Sequence, residues 1–92
     1  QKMFSVKYPS QADIKVFVTR YSSQADLNVF KVKYQSQAIE NEGKWFFVKY
    51  QSQADKKIYF VDYASQSDLK IFFTKYSSQI GWRNKEKVHL LF

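Results

Sequence analysis

A short unit recurs along the whole chain at an almost constant spacing. Its clearest copy is the stretch 21–30, Tyr-Ser-Ser-Gln-Ala-Asp-Leu-Asn-Val-Phe, and every copy has a tyrosine followed, after one variable residue, by Ser-Gln. The repeated tyrosines and glutamines are Tyr8 and Gln11, Tyr21 and Gln24, Tyr34 and Gln37, Tyr50 and Gln53, Tyr63 and Gln66, and Tyr76 and Gln79. Successive tyrosines lie 13, 13, 16, 13 and 13 residues apart, so the first three map onto the last three with a period of 42. The spacing predicts a duplicated three-strand module within a single domain, 1–92, with internal repeats at approximately 8–49 and 50–92.

The residues before each tyrosine alternate between apolar and charged side chains, as in a strand with one buried face. An aromatic residue stands four positions before the tyrosine and valine or threonine two before it, as Phe30 and Val32 do before Tyr34. The position directly before the tyrosine is mostly lysine or arginine. We therefore expect the tyrosine, the valine or threonine and the aromatic residue to share the buried face. The residue five before the tyrosine, such as Val29 or Trp45, is also apolar, which predicts that the start of each strand is covered on both sides.

Seven strand segments follow from this alternation, and helix has little support anywhere. The predicted strands span residues 1–8, 14–21, 27–34, 44–50, 57–63, 69–76 and 86–92. The connections consist mainly of Ser, Gln, Ala and Asp, and the chain has only two glycines. Ser and Asp side chains are therefore expected to close the turns on neighbouring amides. The repeated glutamine is interpreted as a scaffolding amide that bonds neighbouring backbone or an equivalent side chain.

Two familiar repeat architectures do not fit this period. A 13-residue β-solenoid coil encloses too little volume for the Phe, Tyr and Val that each unit must bury. Propeller blades have periods of about 40 to 45 residues, but two copies cannot close a ring. The sequence therefore predicts an all-β fold with about seven short strands in a compact closed or two-layered sheet and an internal 42-residue duplication.

The recurring Tyr-x-Ser-Gln-Ala-Asp-Leu/Ile-x-Val-Phe pattern, in a basic chain of 92 residues, resembles the Septknot family over essentially the whole chain. The resemblance implies a small bacterial all-β monomer of unknown function whose backbone forms a deep torus knot of seven crossings. A knotted and an unknotted chain use similar local sequence, so the knot is implied by the resemblance and not by the spacing. The sequence departs from the family pattern after Ala38 and Ile80, where no aspartate follows and the connection is longer.

Catalytic and metal-binding chemistry has little support in the sequence. His89 is the only histidine and the chain has no cysteine, so a Ser-His-Asp arrangement drawn through His89 would be one of many in a chain rich in Ser and Asp. One aspartate recurs per unit without the dense oxygen spacing of a calcium loop, and these aspartates are expected to close turns and pair with lysines: Asp13, Asp26, Asp55 and Asp68. No glycine-rich phosphate loop is present. We expect no enzymatic activity, no cofactor and no metal site.

The basic balance of the chain suggests one alternative to a small, stable structural domain of unknown function. A net charge of +7, spread along the strands as rows of lysines, is compatible with a weak, lysine-driven nucleic-acid-binding module. Arg20 and Arg83, the only arginines, and the two tryptophans, Trp45 and Trp82, are the candidate nucleic-acid contacts. Both tryptophans lie in or beside a longer connection, where a ring is either exposed for stacking or plugs an open end of the sheet. The remaining aromatic residues are assigned to the core.

Location and assembly follow from what the chain lacks. No apolar run approaches the roughly 20 residues that span a bilayer, and no basic-then-apolar signal segment opens the sequence. The absence of cysteine fits a reducing compartment. We expect a cytoplasmic monomer without membrane contact, and nonspecific nucleic acid is the partner class that the charge suggests.

Overall fold

A computed structural model describes residues 1–91 and contains, within that range, seven short strands and seven 3₁₀ segments. The strands are β1 (Lys2–Ser5), β2 (Ile14–Val18), β3 (Leu27–Lys31), β4 (Lys44–Phe47), β5 (Lys56–Phe60), β6 (Leu69–Phe73) and β7 (Gly81–Trp82). Each of the first six strands is followed by a 3₁₀ turn that contains Ser-Gln: Pro9–Gln11, Ser22–Gln24, Gln35–Gln37, Gln51–Gln53, Ala64–Gln66 and Ser77–Gln79. The first six predicted strands are therefore present, but each one ends before its tyrosine.

The first six strands form a closed parallel barrel. Their order around the ring is β4-β1-β5-β2-β6-β3, and β3 pairs with β4 to close it. All six of these pairings are parallel, whereas β7 adds to β3 in antiparallel orientation at Leu27 and Asn28. The fold is thus an all-β closed sheet, as predicted, with one short additional strand.

Apart from β3 and β4, which pair directly, barrel strands that are consecutive in sequence are separated in the ring by a strand from the other half of the chain. Both β1 and β2 pair with β5, and both β2 and β3 pair with β6. The 3₁₀ turn after β1 packs on β5, and the turn after β2 packs on β6, so the connections cross the intervening strands on the outside of the filled barrel. The connections form a second layer around the sheet, and the two halves of the chain are interleaved.

Closure of the ring depends on one glycine. The backbone N–H of Phe30 donates to the carbonyl of Gly43 at 2.8 Å, beside the β3–β4 pairing. Gly43 has a φ of 118°, and a Cβ at this position would collide with the backbone oxygen of Asn28. Because side chains rarely adopt this conformation and none fits the space, glycine permits the close approach of the two strands.

The barrel interior is filled by side chains five and seven positions before each tyrosine. The residues five before it are all fully buried, at 0% exposure: Met3, Val16, Val29, Trp45, Ile58 and Ile71. Ile14, Leu27 and Leu69 are the buried residues seven before it. The prediction that the tyrosine shares the buried face is wrong, because the chain leaves the barrel at each strand end and the six tyrosines are 62 to 66% exposed. The valine or threonine two before the tyrosine is buried instead under the outer layer in five of six units.

The predicted last strand, 86–92, is also wrong. Residues Lys85–Leu91 form a 3₁₀ segment, called here the terminal segment, and Phe92 lies outside the described residues. Leu91 is 1% exposed and belongs to the core cluster. Because β3 and β4 already close the ring, it offers no free edge for a full seventh strand, and the apolar residues of the terminal segment cover the end of the barrel instead.

Neither tryptophan is an exposed stacking ring, so the first of the two alternatives for this pair does not apply. Trp45 points into the barrel from β4 at 0% exposure, and its indole N–H has no hydrogen-bond partner among the described residues. Trp82 is half-buried against the core, and its indole N–H donates to the backbone oxygen of Asn41 at 2.9 Å. Trp45 is the second residue of β4 and not part of the long connection. At this position in the strand the side chain points into the barrel, which buries it.

Replacement of Trp45 tests the packing of the interior. We expect Trp45→Ala to lower the free energy of unfolding by about 3 to 5 kcal/mol, because it leaves a large cavity in a closed barrel. Trp82→Ala, which removes a half-buried ring, should cost less. Urea titrations of both variants measure the difference. A loss below about 1 kcal/mol for Trp45→Ala would contradict its central position.

The interleaved order of the strands predicts slow unfolding. A strand of one half cannot leave the ring without breaking its pairings with the other half, so we expect unfolding on the order of minutes or longer in moderate urea. Stopped-flow and manual-mixing tryptophan fluorescence after a urea jump measure this rate. Complete unfolding within seconds would contradict the prediction.

Candidate functional site

The part of the chain that the structure describes has no cluster of metal-binding side chains. Within residues 1–91, no three His, Cys, Asp or Glu side chains converge on a position for a metal ion. His89 is exposed on the terminal segment, and its Nδ1 lies 2.9 Å from the backbone oxygen of Glu86. In the same part of the chain, no helix has the length and apolar character needed to cross a membrane.

Contrary to the expectation from the sequence, the carboxylates of the four repeated aspartates do not close turns but bond the backbone of neighbouring strands. Each Oδ2 accepts a hydrogen bond of 2.8 or 2.9 Å from the backbone N–H of a lysine: Asp13 from Lys57, Asp26 from Lys70, Asp55 from Lys2 and Asp68 from Lys15. The N–H of each aspartate also donates to the carbonyl of the same lysine at 2.7 or 2.8 Å. These paired bonds, called here the aspartate clasps, bind the lysine backbone at the amino end of the barrel.

Asp26 additionally anchors the chain after β7. Its backbone oxygen accepts hydrogen bonds from the N–H groups of Arg83 and Asn84, at 2.8 and 3.0 Å. Its Oδ1 accepts from the Asn84 amide at 3.2 Å. This bonding places Arg83 at the amino end of the barrel, whereas Arg20 follows β2 at the carboxyl end. The four candidate nucleic-acid contacts of the sequence analysis are therefore not assembled into one site.

Positive charge gathers at the carboxyl end of the barrel, where the first six strands end. The residues directly before the tyrosines are all exposed there: Lys7, Arg20, Lys33, Lys49, Asp62 and Lys75. With Lys31, the last residue of β3, this end has six basic and one acidic residue, a net +5 of the total +7. The row of basic residues before the tyrosines is gathered at this end because parallel strands place equivalent residues of every unit at the same end.

The six tyrosines surround this positive end. In ring order they are Tyr8, Tyr63, Tyr21, Tyr76, Tyr34 and Tyr50. The carbonyl of each tyrosine accepts a hydrogen bond of 3.0 or 3.1 Å from the backbone N–H of the glutamine three residues later, which closes the 3₁₀ turn. A signal in the sequence pointed to this exposure. Tyrosine is identical in all six units, whereas the true core position varies among Met, Val, Trp and Ile to fill one shared volume.

Aromatic rings also line the carboxyl end inside the tyrosine ring. Phe47, Phe60 and Phe73 come from alternate strands of the ring and pack against the core. The Lys31 Nζ lies 4.5 Å from the centroid of the Phe73 ring and 5.5 Å from that of Phe47. Cation–π attraction at such an exposed site is worth about 0.5 to 1 kcal/mol, so the rings keep this ammonium over the barrel mouth.

The repeated glutamine acts through its backbone more than through its side chain. All six glutamine side chains are exposed. Gln37 Oε1 accepts from the Tyr34 N–H at 3.3 Å, and Gln79 Oε1 accepts from the Thr74 hydroxyl at 3.0 Å. The other four carboxamides have no hydrogen-bond partner within residues 1–91: those of Gln11, Gln24, Gln53 and Gln66. Gln37 thus bonds neighbouring backbone as interpreted, Gln79 bonds a threonine hydroxyl instead, and the other four side chains are available to bind another molecule.

The aspartate clasps predict a position-dependent cost of removing a carboxylate. Asp13→Ala should lower the free energy of unfolding by about 1 to 3 kcal/mol, because the Lys57 N–H loses its acceptor. Asp62→Ala removes the same charge from an exposed position without a clasp and should stay within about 0.5 kcal/mol of the parent. Urea titrations compare the two variants. Equal losses would show that charge, and not the backbone bond, is responsible.

A sequence profile of the family described as the 7(1) septoil knot domain matches residues 1–83. No curated protein and no solved structure has significant similarity to the chain. The matched range contains all seven strands and all six copies of the unit, and the terminal segment lies beyond it. The chain belongs to the septoil knot domain family.

Proposed function

We propose that this chain is a monomeric, non-enzymatic domain that binds single-stranded nucleic acid around the carboxyl end of its barrel. The observation that carries the proposal is the coincidence, at one end, of six exposed tyrosines and a local net charge of +5. A core does not need rings that are more than half exposed, and exposed aromatic residues arranged among lysines are what a single strand uses.

The chemistry of this end favours contact without sequence preference along most of the strand. Each base that stacks on a tyrosine contributes about 1 to 3 kcal/mol, whichever base it is. Lysines attract the phosphates and release counterions, which makes the affinity depend on salt. Arginine is the residue best suited to bidentate base contacts, and this end has only one, Arg20. A duplex hides its base faces, so single strands should bind more tightly.

A purely structural role is the second candidate. The interleaved strand order favours this role because it predicts slow unfolding. That role leaves the repeated exposed tyrosine without a purpose. The proposal further places the protein in the cytoplasm, where nucleic acid is the main polyanion, and a chain without cysteine fits that compartment.

The test is a fluorescence anisotropy titration of labelled single- and double-stranded oligonucleotides at low and near-physiological salt. We expect single strands to bind more tightly, and we expect the double replacement Tyr21→Ala and Tyr76→Ala, at neighbouring ring positions, to weaken binding about tenfold or more. Both side chains are exposed, so the fold should be retained, which circular dichroism checks.

Matched charge variants test whether nucleic acid binds at the carboxyl end or is attracted by the positive charge of the chain as a whole. Lys33→Gln with Lys49→Gln should weaken binding and reduce its salt dependence, because two phosphate contacts are lost. Lys85→Gln, an exposed change on the terminal segment, should have little effect. Absence of single-strand binding at low salt would refute the proposal. So would a loss of affinity in Lys85→Gln that equals the loss per lysine in the double variant.

A further inference from the structure

Two grooves on the outside of the barrel have the same construction. The larger, over β5, is lined by Pro9, Lys15, Tyr59, Val61 and Gln66 and has a volume of about 450 Å³. We call it the β5 groove. Three of these residues belong to the unit of β5: its aromatic residue, its valine and its glutamine. The other two come from the ring neighbours of β5, since Pro9 lies in the turn after β1 and Lys15 lies in β2. Strands from both halves of the chain must therefore be present to form it.

The smaller groove, over β3, uses the same five positions of the unit. Its lining residues are Phe30, Val32, Gln37, Ile39, Lys44 and Ser77, and its volume is about 210 Å³. Ile39, from the longer connection, is the one addition. Because the same positions form a groove at two places in the ring, the concavity is a property of the repeated unit.

The β5 groove is the better equipped of the two for a ligand. Gln66 is exposed and its carboxamide has no partner within residues 1–91, whereas Gln37 in the smaller groove already accepts a bond from Tyr34 at 3.3 Å. Tyr59 is half-buried and presents an aromatic ring to the groove. Lys15 is held through its backbone by Asp68, and its side chain is exposed beside the groove. An aromatic surface, a free amide and a cation thus meet in one concave site.

The position of the groove relates it to the tyrosine ring. Pro9 directly follows Tyr8, and Gln66 lies in the turn after Tyr63. Tyr8 and Tyr63 are neighbours in the ring because β1 pairs with β5. A single strand that stacks on both tyrosines therefore passes the mouth of the β5 groove.

We infer that the β5 groove binds one adenine base of the single strand, with the Gln66 carboxamide paired to the N6 and N7 edge and the ring against Tyr59. A glutamine carboxamide offers the donor and acceptor that this edge requires, and the volume suits a base-sized ligand with room for its sugar. Lys15 faces the adjoining phosphate. This inference rests on the proposed function and adds a base preference at one position to it.

The experiment compares short single-stranded oligomers of adenine, cytosine and thymine in anisotropy titrations at near-physiological salt. The parent protein should prefer the adenine oligomer about tenfold, a typical discrimination for one bidentate contact. Gln66→Ala should reduce this preference to about twofold while leaving the affinity for the thymine oligomer nearly unchanged. Gln53→Ala, at the equivalent position of another unit and also exposed without a side-chain partner, should keep the full preference.

The outcomes distinguish this inference from the proposed function. Equal affinity of the parent for all three oligomers, with Tyr21→Ala and Tyr76→Ala still weakening binding, would overturn the adenine site and leave the proposed function intact. Equal loss of preference in Gln66→Ala and Gln53→Ala would also overturn it. Displacement of the adenine oligomer by a neutral oligosaccharide would assign the β5 groove to a sugar ring instead. Absence of binding to every oligomer, together with no effect of the tyrosine variants, would refute both proposals.

Discussion

The pairing of β3 with β4 is the contact on which the rest of the structure depends, because it closes the sheet. Gly43 allows it, since any side chain there would collide with the backbone of β3. Once the ring is closed, every barrel strand has a neighbour on both sides and the interior has a fixed volume. The terminal segment then finds no free edge and contributes Leu91 to the core from the end of the barrel.

The closed interior also explains why the two halves of the chain differ where their repeats otherwise agree. Three residues before the tyrosine, the first half has Ser5, Val18 and Lys31, and the second half has Phe47, Phe60 and Phe73. Because strands of the two halves alternate around the whole ring, each phenylalanine ring at this level lies between strands that carry a non-aromatic side chain. Rings from six strands would overfill the barrel, whereas three fit together. The three phenylalanine rings therefore fit in the barrel only because the strands of the two halves are interleaved.

Parallel strands convert a repeat in sequence into rings of equal groups at opposite ends of the barrel. Four of the six barrel strands are preceded by an aspartate, and all six are followed by a tyrosine that has a basic residue before it in five cases. The aspartate clasps therefore lie at the amino end and the tyrosines at the carboxyl end. An antiparallel barrel of the same units would mix both ends. The polarity of charge and aromatic surface, from which the nucleic-acid proposal is argued, is thus a consequence of strand direction and not of composition.

The sequence by itself determined the all-β class and the positions of the first six strands, because these depend on alternation and side-chain type within a few residues. It did not determine which apolar face lies inside, since Val29 and Phe30 are both apolar neighbours and local alternation is satisfied either way. The exposure of the tyrosines, the burial of Trp45 and the β5 groove were decided only by tertiary structure. They depend on strand order, parallel register and closure, which join residues more than 40 positions apart.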